Sequence, residues 1–541
     1  MILLQGTAQR RQKNKKLPET TIESPKLVVG IIVDQMRYDY LTRFWNHYGE
    51  GGFKRLAGQG YNCKNHHFNY APTSTAPGHT SVYTGTTPRT HGIIGNNWYD
   101  KELDASVYCA ADDSYTSVGT SSNAGKMSPH RMLTTTITDQ LRLHTQMRGK
   151  TIAIALKDRG AVLPGGHTAN AAYWFEGGDT GNWITSSFYM DKLPDWVSSH
   201  NSSNAVEKYK KTWTTLKPIV DYIESGSDAN PYEGKFEGEN TSSFPHNLPA
   251  LWEANGKFDM LRLTAFGNML TTDFALAALE NENLGTDTDT DFLAISYSST
   301  DYVGHKYGVN SKEIQDTYLR LDLDLERLLN ALDTKVGAGK YTVFLTADHG
   351  AINVPAFLSD KKIPAGYIDL GESTKKLNEF LTYSYGTTDV VKNISNSQVF
   401  LDRKVINNLD MSLKDVQEEI ALELLSYPNM DKVYTGYQMW QNEYTSGIPY
   451  ILQNGWHQKR SGDVLVVPEP AHIAYPKTGS THGSPMIYDT HVPLLFYGNG
   501  IKKGSTINRT ETPDIAPTVA TMLGIAFPNG TTGKPIVEVL E

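Results

Sequence analysis

Short runs of apolar and β-branched residues recur along the chain, and polar segments follow several of them. The first run covers residues 25–33. The same texture returns at residues 151–156, 292–297, 341–345 and 492–496. A continuous apolar run of this length predicts a strand that is buried on both faces.

Helical periodicity fills the intervals between these runs. Apolar residues from Ile314 to Leu332 keep a spacing of three and four residues, and residues 266–279 and 515–523 also predict helices. Strands that alternate with helices indicate an α/β fold. We therefore expect a mainly parallel central sheet flanked by helices.

Two long stretches and the N-terminus depart from this alternation. Residues 160–260 are rich in Trp, Tyr, Gly, Asn and Ser, which predicts an irregular cap. Residues 351–475 contain a strand at 398–402, a helix at 413–425, and strands at 432–434 and 463–467, which predicts a small α+β insertion. Residues 1–24 are predicted to be a disordered leader or the remnant of an export signal, and residues 25–541 the folded domain.

Composition narrows the classes of partner. The chain has 541 residues, of which 39% are hydrophobic and 20% charged, as in a globular protein. Its net charge of −9 and the absence of a basic stripe argue against nucleic acid as an obligate partner. No apolar run in the sequence reaches the length of a transmembrane segment. The two cysteines, Cys63 and Cys109, predict either one disulfide or two buried thiols.

Aspartate and histidine residues occur in short segments that follow the predicted strands. The set comprises Asp34, Asp301, His305, Asp348, His349 and His482. The carboxyl ends of parallel strands share one edge of the sheet, where active sites form. Imidazole and carboxylate together suit zinc, and paired ions recur in phosphoryl chemistry. The sequence therefore predicts a site for two metal ions. Another histidine, His79, lies near the site segment and is expected to make only structural hydrogen bonds.

A candidate nucleophile lies in residues 70–81. Pro77 suits the first turn of a helix, so Thr75 is expected beside the helix N-terminus, where backbone N–H groups stabilise an anion. Ser74 and Thr73 are rival hydroxyls. The alternative interpretation is that Thr75 only caps the helix.

The ordered blocks of this chain resemble the alkaline phosphatase superfamily, and in particular its PafA-type bacterial alkaline phosphatases. The blocks include VVGIIVDQMRYDYL, HGIIGNNWYDKEL, LKDRGAVLPGGH, SSTDYVGHKYG and TADHG. The resemblance extends from about Lys26 to the C-terminus. It also relates the chain to the nucleotide pyrophosphatases/phosphodiesterases.

The resemblance implies two Zn²⁺ ions and a residue for each task. Asp34, Thr75, Asp348 and His349 would hold one ion, and Asp301, His305 and His482 the other. Asn96, Lys157 and Arg159 would contact the phosphoryl oxygens. A further Ca²⁺ or Mg²⁺ site stays open.

The implied activity is hydrolysis of small phosphate monoesters through a phosphothreonine, by a periplasmic or secreted monomer that scavenges phosphate. Lys157 and Arg159, at alternate positions of one strand end, are predicted to point to the same side and to favour the doubly charged monoester. Two alternatives remain: a phosphodiesterase or nucleotide pyrophosphatase, and a non-catalytic protein that binds metal or phosphate.

Overall fold

The computed structural model describes residues 24–541. The predicted leader therefore lies outside the described residues, apart from its last position. The described part is organised around one large sheet with helices against both of its faces.

The central sheet has ten strands within the described residues. In spatial order they are Gly504–Thr506, Tyr61–Cys63, Leu494–Gly498, Tyr341–Thr346, Leu27–Val33, Asp291–Tyr297, Thr151–Ala155, Ala171–Glu176, Asn182–Ser186 and Ser117–Val118. The strands at the middle of the sheet are parallel, as predicted. The outer strands Leu494–Gly498 and Asn182–Ser186 are antiparallel to their neighbours, so the sheet as a whole is mixed.

Both faces of the sheet are buried because helices cover each of them. Alternate residues of Leu27–Val33 enter two different cores: Val29 and Ile31 face one side, and Val28 and Ile32 the other. The helices with eight or more residues are Thr75–Thr84, Ile137–His144, Asp158–Gly165, Asp195–Ser202, Ala265–Asn281, Ser299–Tyr307, Lys312–Leu332, Leu370–Tyr385, Leu413–Leu425, Gly447–Gly455 and Ile515–Leu523. This double burial explains the continuous apolar runs in the sequence.

Smaller elements complete the chain. The shorter α-helices are Asp39–Arg43, Phe53–Gln59, Pro88–His91, Leu248–Leu251, Pro355–Asp360, Arg403–Asn408, Gly436–Gln441 and Ile487–Thr490. The strands outside the ten-stranded sheet and the four-stranded sheet of the insertion are His66–His67, His491–Val492, Thr510–Glu511, Asn97–Asp100, Ala105–Tyr108, Gly366–Tyr367 and His472–Ile473.

The predicted cap begins later than the sequence indicated. Residues 160–186 were expected to be irregular, but Ala171–Glu176 and Asn182–Ser186 are strands of the central sheet. The turn-forming residues around these strands masked two short, almost fully buried segments. From Ser187 to Thr264 the chain consists mainly of loops and short helical segments.

The predicted α+β insertion contains the elements that its sequence indicated. Its four-stranded antiparallel sheet has the order Val391–Ser395, Gln398–Leu401, Val464–Pro468 and Met430–Thr435. The helix Leu413–Leu425 packs against this sheet and shares a separate hydrophobic core with it.

Two further predictions concern the whole chain. Cys63 and Cys109 are both buried and both free, so the alternative with two thiols holds in this structure. Among the helices of residues 24–541, none is at once long enough and apolar enough to cross a bilayer.

Candidate metal centre

Three neighbouring parallel strands bring the predicted aspartates to one edge of the sheet. Asp34 directly follows Leu27–Val33, and this strand pairs on one side with Asp291–Tyr297 and on the other with Tyr341–Thr346. Asp301 and Asp348 lie just beyond those two neighbours. The carboxylates therefore meet at the carboxyl edge of the sheet, as the sequence predicted.

Asp301, His305 and His482 form the first group of side chains that could hold a metal ion, because one ligand atom from each lies within 4.8 Å of the other two. Asp301 and His305 lie one turn apart on the helix Ser299–Tyr307, so their side chains share one face of this helix. Asp301 Oδ1 lies 3.2 Å from His305 Nε2 and 3.6 Å from His482 Nε2.

The second group overlaps with the set predicted for the other ion. Asp34, Asp301 and His349 satisfy the same 4.8 Å spacing, so Asp301 belongs to both groups. Asp348 adjoins them, with its Oδ2 atom 3.6 Å from His349 Nε2, while Asp34 Oδ1 lies 3.5 Å from that nitrogen. These three buried atoms, Asp34 Oδ1, Asp348 Oδ2 and His349 Nε2, have no hydrogen-bond partner in the described residues. Two acceptor oxygens and a ring nitrogen without partners fit a bound cation.

Each of the three histidines presents the same ring nitrogen to the site. The Nδ1 atoms of His305, His349 and His482 lie 2.7, 3.0 and 2.7 Å from backbone carbonyl oxygens. Because a carbonyl oxygen can only accept, Nδ1 carries the hydrogen and Nε2 keeps its lone pair. Metal-binding histidines are commonly oriented in this way.

The centre holds more buried negative charge than its neighbours can neutralise. Asp34, Asp301 and Asp348 are at most 3% exposed. Burial raises the pKa of Asp34 well above its ordinary value, and the charges of Asp301 and Asp348 raise it further. Burial acts in the same direction on Asp301, but His305 and Lys157 outweigh it and hold the pKa of that carboxyl well below its usual range. A buried cluster of this kind is stabilised by added positive charge.

Burial also favours the neutral histidines that bind metals. It lowers the pKa of His349, and it lowers the pKa of His482 still more strongly, with the nearby His349 adding to the effect. Neutral imidazole is the form that coordinates a cation. The charge, the unpartnered atoms and the ring orientations all fit divalent cations.

Lys157 and Arg159 do not lie on a strand end, contrary to the prediction. The strand ends at Ala155, and Lys157 precedes the helix Asp158–Gly165, whose second residue is Arg159. The strand therefore ends one residue before its predicted end at Leu156. Lys157 Nζ lies 2.6 Å from both Asp34 Oδ2 and Asp301 Oδ2, between the two groups. Its ammonium also lies 4.8 Å from the centre of the Tyr302 ring.

The Arg159 guanidinium is oriented by a tyrosine of the hairpin formed by Asn97–Asp100 and Ala105–Tyr108. Its Nη1 atom donates to the Tyr108 hydroxyl at 3.2 Å, and that hydroxyl donates to Asp158. The Arg159 Nε–H group is buried and has no acceptor among the described residues. Lys157 and Arg159 both line a cavity of about 380 Å³, which leaves this guanidinium a donor for an anion.

Thr75 is the first residue of the helix Thr75–Thr84, as predicted, and it is buried. Two contacts fix this N-terminus beside the metal groups: His482 Nδ1 donates to the Thr73 carbonyl, and His79 lies 3.4 Å from Asp348 Oδ2. His79 also bonds the Thr75 carbonyl at 2.8 Å, which agrees with its predicted structural role.

The rival hydroxyls differ in their surroundings. The Thr73 hydroxyl donates to the Ser484 carbonyl, so it is already engaged. The Ser74 hydroxyl has no partner in the described residues and its side chain lines a cavity of about 410 Å³. Ser74 therefore remains a comparison residue for any test of Thr75.

Asn96 lies next to the same helix N-terminus. Its Oδ1 atom accepts from the Ala76 backbone N–H at 2.8 Å, which orients the amide. Because the oxygen is engaged, the NH₂ group is left to donate. Asn96 and His482 both line the 410 Å³ cavity, whose far wall includes Leu452 and Leu465 of the insertion.

Gln35 connects the two metal groups, and sequence reasoning missed it. Its side chain donates to Asp301 Oδ1 at 2.7 Å, and its backbone N–H donates to Asp348 Oδ1 at 3.1 Å. Gly304 allows this contact, since a Cβ atom there would lie 1.9 Å from Gln35 Oε1. The only available signal was its position directly after Asp34.

A family profile and several known proteins match most of this chain. A sequence profile of the family described as type I phosphodiesterase / nucleotide pyrophosphatase matches residues 28–490. A protein of Myroides odoratus named calcium-transporting ATPase is 46% identical, covering 97% of this chain and 96% of its own. Alkaline phosphatase PafA of Elizabethkingia meningoseptica is 44% identical, covering 98% and 96%. A crystal structure of wild-type alkaline phosphatase PafA matches with a TM-score of 0.92 and 44% identity, over 96% of this chain and 99% of the other.

Proposed function

The chain belongs to the type I phosphodiesterase/nucleotide pyrophosphatase family, among its PafA-like alkaline phosphatases, and from this membership we propose that it hydrolyses phosphate monoesters. The products are an alcohol and inorganic phosphate. The observation that carries the proposal is the convergence of the unpartnered atoms of Asp34, Asp348 and His349 beside the helix that begins at Thr75.

We propose that two Zn²⁺ ions occupy the centre. Asp34, Asp348, His349 and the Thr75 hydroxyl would hold one, and Asp301, His305 and His482 the other. The mixed imidazole and carboxylate donors favour zinc over calcium or magnesium. When bound, such ions lower the pKa of nearby hydroxyl and water oxygens and stabilise negative charge on phosphoryl oxygens.

In the first step the Thr75 hydroxyl releases its proton to solvent, its oxygen attacks phosphorus in line, and the bond to the alcohol oxygen breaks. The Asn96 NH₂ group, the Lys157 ammonium and the Arg159 guanidinium bind the nonbridging oxygens as their charge changes. The alcohol departs on the side of His305 and His482 and takes a proton from solvent. Free backbone N–H groups at the helix start favour the anionic group held there.

In the second step water attacks the phosphothreonine at Thr75 and releases inorganic phosphate. The attacking water gives up a proton and the departing Thr75 oxygen takes one up, which returns the site to its starting state. The same donors bind the nonbridging oxygens in both steps, because each step is an in-line displacement at the same phosphorus atom.

A direct test compares Thr75→Ala with Ser74→Ala. With zinc and p-nitrophenyl phosphate, Thr75→Ala is expected to lose most turnover and all covalent phosphoenzyme after acid quenching. Ser74→Ala is expected to retain both, since only the Thr75 oxygen attacks. Normal turnover in Thr75→Ala, or phosphoenzyme lost only in Ser74→Ala, would contradict the assignment.

The family match also favours a second candidate, a phosphodiesterase or nucleotide pyrophosphatase. Lys157 and Arg159 support the monoester, because two cations best match a group with two negative charges. The ratio of kcat/KM for p-nitrophenyl phosphate to that for bis-p-nitrophenyl phosphate distinguishes the two. A ratio below one would favour the diesterase.

Three further properties concern the location, the oligomeric state and the metal content of the enzyme. We propose a periplasmic or secreted monomer that releases phosphate for uptake, supported by its family membership. Cell fractionation tests the location, and light scattering of the purified protein tests the monomer. Metal analysis by mass spectrometry, before and after chelation, tests the number and identity of the ions, including any further Ca²⁺ or Mg²⁺.

A further inference from the structure

The α+β insertion reaches the cavity that Asn96 and His482 line through the tip of one hairpin. The strands Val391–Ser395 and Gln398–Leu401 are joined by Asn396 and Ser397, whose φ angles are 52° and 57°. Two consecutive residues with positive φ form the tight turn that asparagine favours at its first position. The turn thus projects the Asn396 side chain away from the insertion.

The Asn396 side chain bonds the loop that carries Asn96. Its Nδ2 atom donates to the Asn97 carbonyl oxygen at 2.7 Å. A Cβ atom on Gly95 would lie only 2.8 Å from this Nδ2, so the close approach depends on glycine at that position. The contact therefore touches the residues on both sides of Asn96.

Further contacts hold the insertion hairpin against the hairpin formed by Asn97–Asp100 and Ala105–Tyr108. Phe400 packs edge-on against Tyr99, with ring centres 5.4 Å apart. Lys392 Nζ lies 3.0 Å from Asp104 Oδ2. These contacts place Asn396 at a defined position relative to the loop, so its hydrogen bond is one part of a wider docking surface.

The pairing of Asn97 with Tyr108 and two hydrogen bonds at Asn96 anchor the loop. Gly95 and Asn96 lie in a bend outside regular structure, between the helix Pro88–His91 and the strand that starts at Asn97. The Asn96 carbonyl accepts from the Cys109 N–H at 2.9 Å, and its side-chain oxygen accepts from Ala76. The Asn97 carbonyl is the point where the insertion adds a further constraint.

We infer that Asn396 is a positioning residue for the reaction: it holds the 95–97 loop so that the Asn96 NH₂ group faces the phosphoryl group. The inference rests on the proposed function, in which Asn96 binds a nonbridging oxygen. Its ground is the juxtaposition of the hairpin tip, the Asn97 carbonyl and the cavity that Asn396 and Asn96 both line.

The test is a double-mutant cycle with Asn96→Ala and Asn396→Gly, assayed with p-nitrophenyl phosphate and zinc. Glycine accepts the positive φ of Asn396 and removes only the amide. Asn429→Gly is the matched control, because Asn429 lies in the same insertion with φ 65° and does not line the cavity. Equal melting temperatures of all variants exclude a folding defect.

Asn396→Gly is expected to lower kcat/KM about two- to tenfold, the effect of one hydrogen bond, while Asn429→Gly leaves it unchanged. In the Asn96→Ala background, Asn396→Gly is expected to have no further effect, because it acts through Asn96. Unchanged kcat/KM in Asn396→Gly, or losses that multiply in the double variant, would overturn the inference. If Asn96→Ala itself is fully active, the proposed role of Asn96 fails, and the inference fails with it.

Discussion

Replacing Lys157 with methionine is expected to destabilise the protein far more without divalent cations than with them. The Lys157 ammonium lies 2.6 Å from carboxylate oxygens of both Asp34 and Asp301. All three side chains are at most 5% exposed, so water hardly solvates the two carboxylates once the ammonium is gone. Methionine keeps an unbranched chain of similar length, which makes the change mainly electrostatic.

The magnitude follows from the charges that remain. Removing one partner of a buried ion pair costs about 3–5 kcal/mol, because the other partner keeps its charge without compensation. Here the substitution leaves Asp34 and Asp301 in that state. Divalent cations at the same carboxylates would supply the missing positive charge, so the loss in the metal-loaded protein is expected to fall to about 1 kcal/mol or less.

The measurement is the melting temperature of wild type and Lys157→Met, each after chelation and after reloading with zinc. Lys432→Met serves as the control, since Lys432 pairs with Asp431 at the surface and is 42% exposed. An exposed pair contributes about 0–1 kcal/mol, so this variant is expected to follow wild type in both conditions. An equal deficit of Lys157→Met in both conditions, or no deficit after chelation, would refute the reasoning.

Three other substitutions test neighbouring parts of the structure. Tyr108→Phe removes the acceptor of Arg159 Nη1 and is expected to lower kcat/KM for monoesters about two- to tenfold, with a smaller effect on diesters. Gly304→Ala would displace Gln35 and is expected to weaken zinc retention during dialysis about tenfold or more. Burial, with the nearby Glu313 charge, raises the pKa of Glu233 to about 9. The protonated carboxyl group therefore stabilises the fold at low pH, and this contribution is lost as the pH rises towards 9. Glu233→Gln is therefore expected to flatten the fall in melting temperature between about pH 5 and about pH 10, and an unchanged profile would contradict this.

The elements that the sequence predicted well are those whose periodicity is unambiguous. Residues 515–523 and 413–425 form helices with the same bounds as predicted, and the apolar runs became neighbouring strands of one sheet. Asp34, Asp301 and Asp348 could be placed together because parallel strands end at a common edge. This rule needs only that the strands run parallel in one sheet, which explains its success.

The parts that were predicted wrongly depend on tertiary packing. The strand Ala171–Glu176 is almost fully buried, but it is short and surrounded by turn-forming residues, so no period marks it. Lys157 and Arg159 were assigned to the end of the strand predicted at residues 151–156, yet the chain leaves the strand at Ala155 and starts a helix. The position of this boundary decides where the Lys157 side chain points, and a residue pattern does not fix the end of a strand to the exact residue.

Gln35 shows why a ligand list from sequence leaves a metal centre incomplete. Asp34 and Asp301 could be recognised by residue type, since carboxylates bind cations, whereas an amide beside a carboxylate carries no such signal. Gln35 acts through a left-handed backbone, with φ 63°, that turns its N–H towards Asp348 while its side chain reaches Asp301. That conformation is uncommon for a residue with a side chain, and it persists only where surrounding contacts fix it. The orientation of the ligands therefore depends on a backbone state that neither residue type nor spacing encodes.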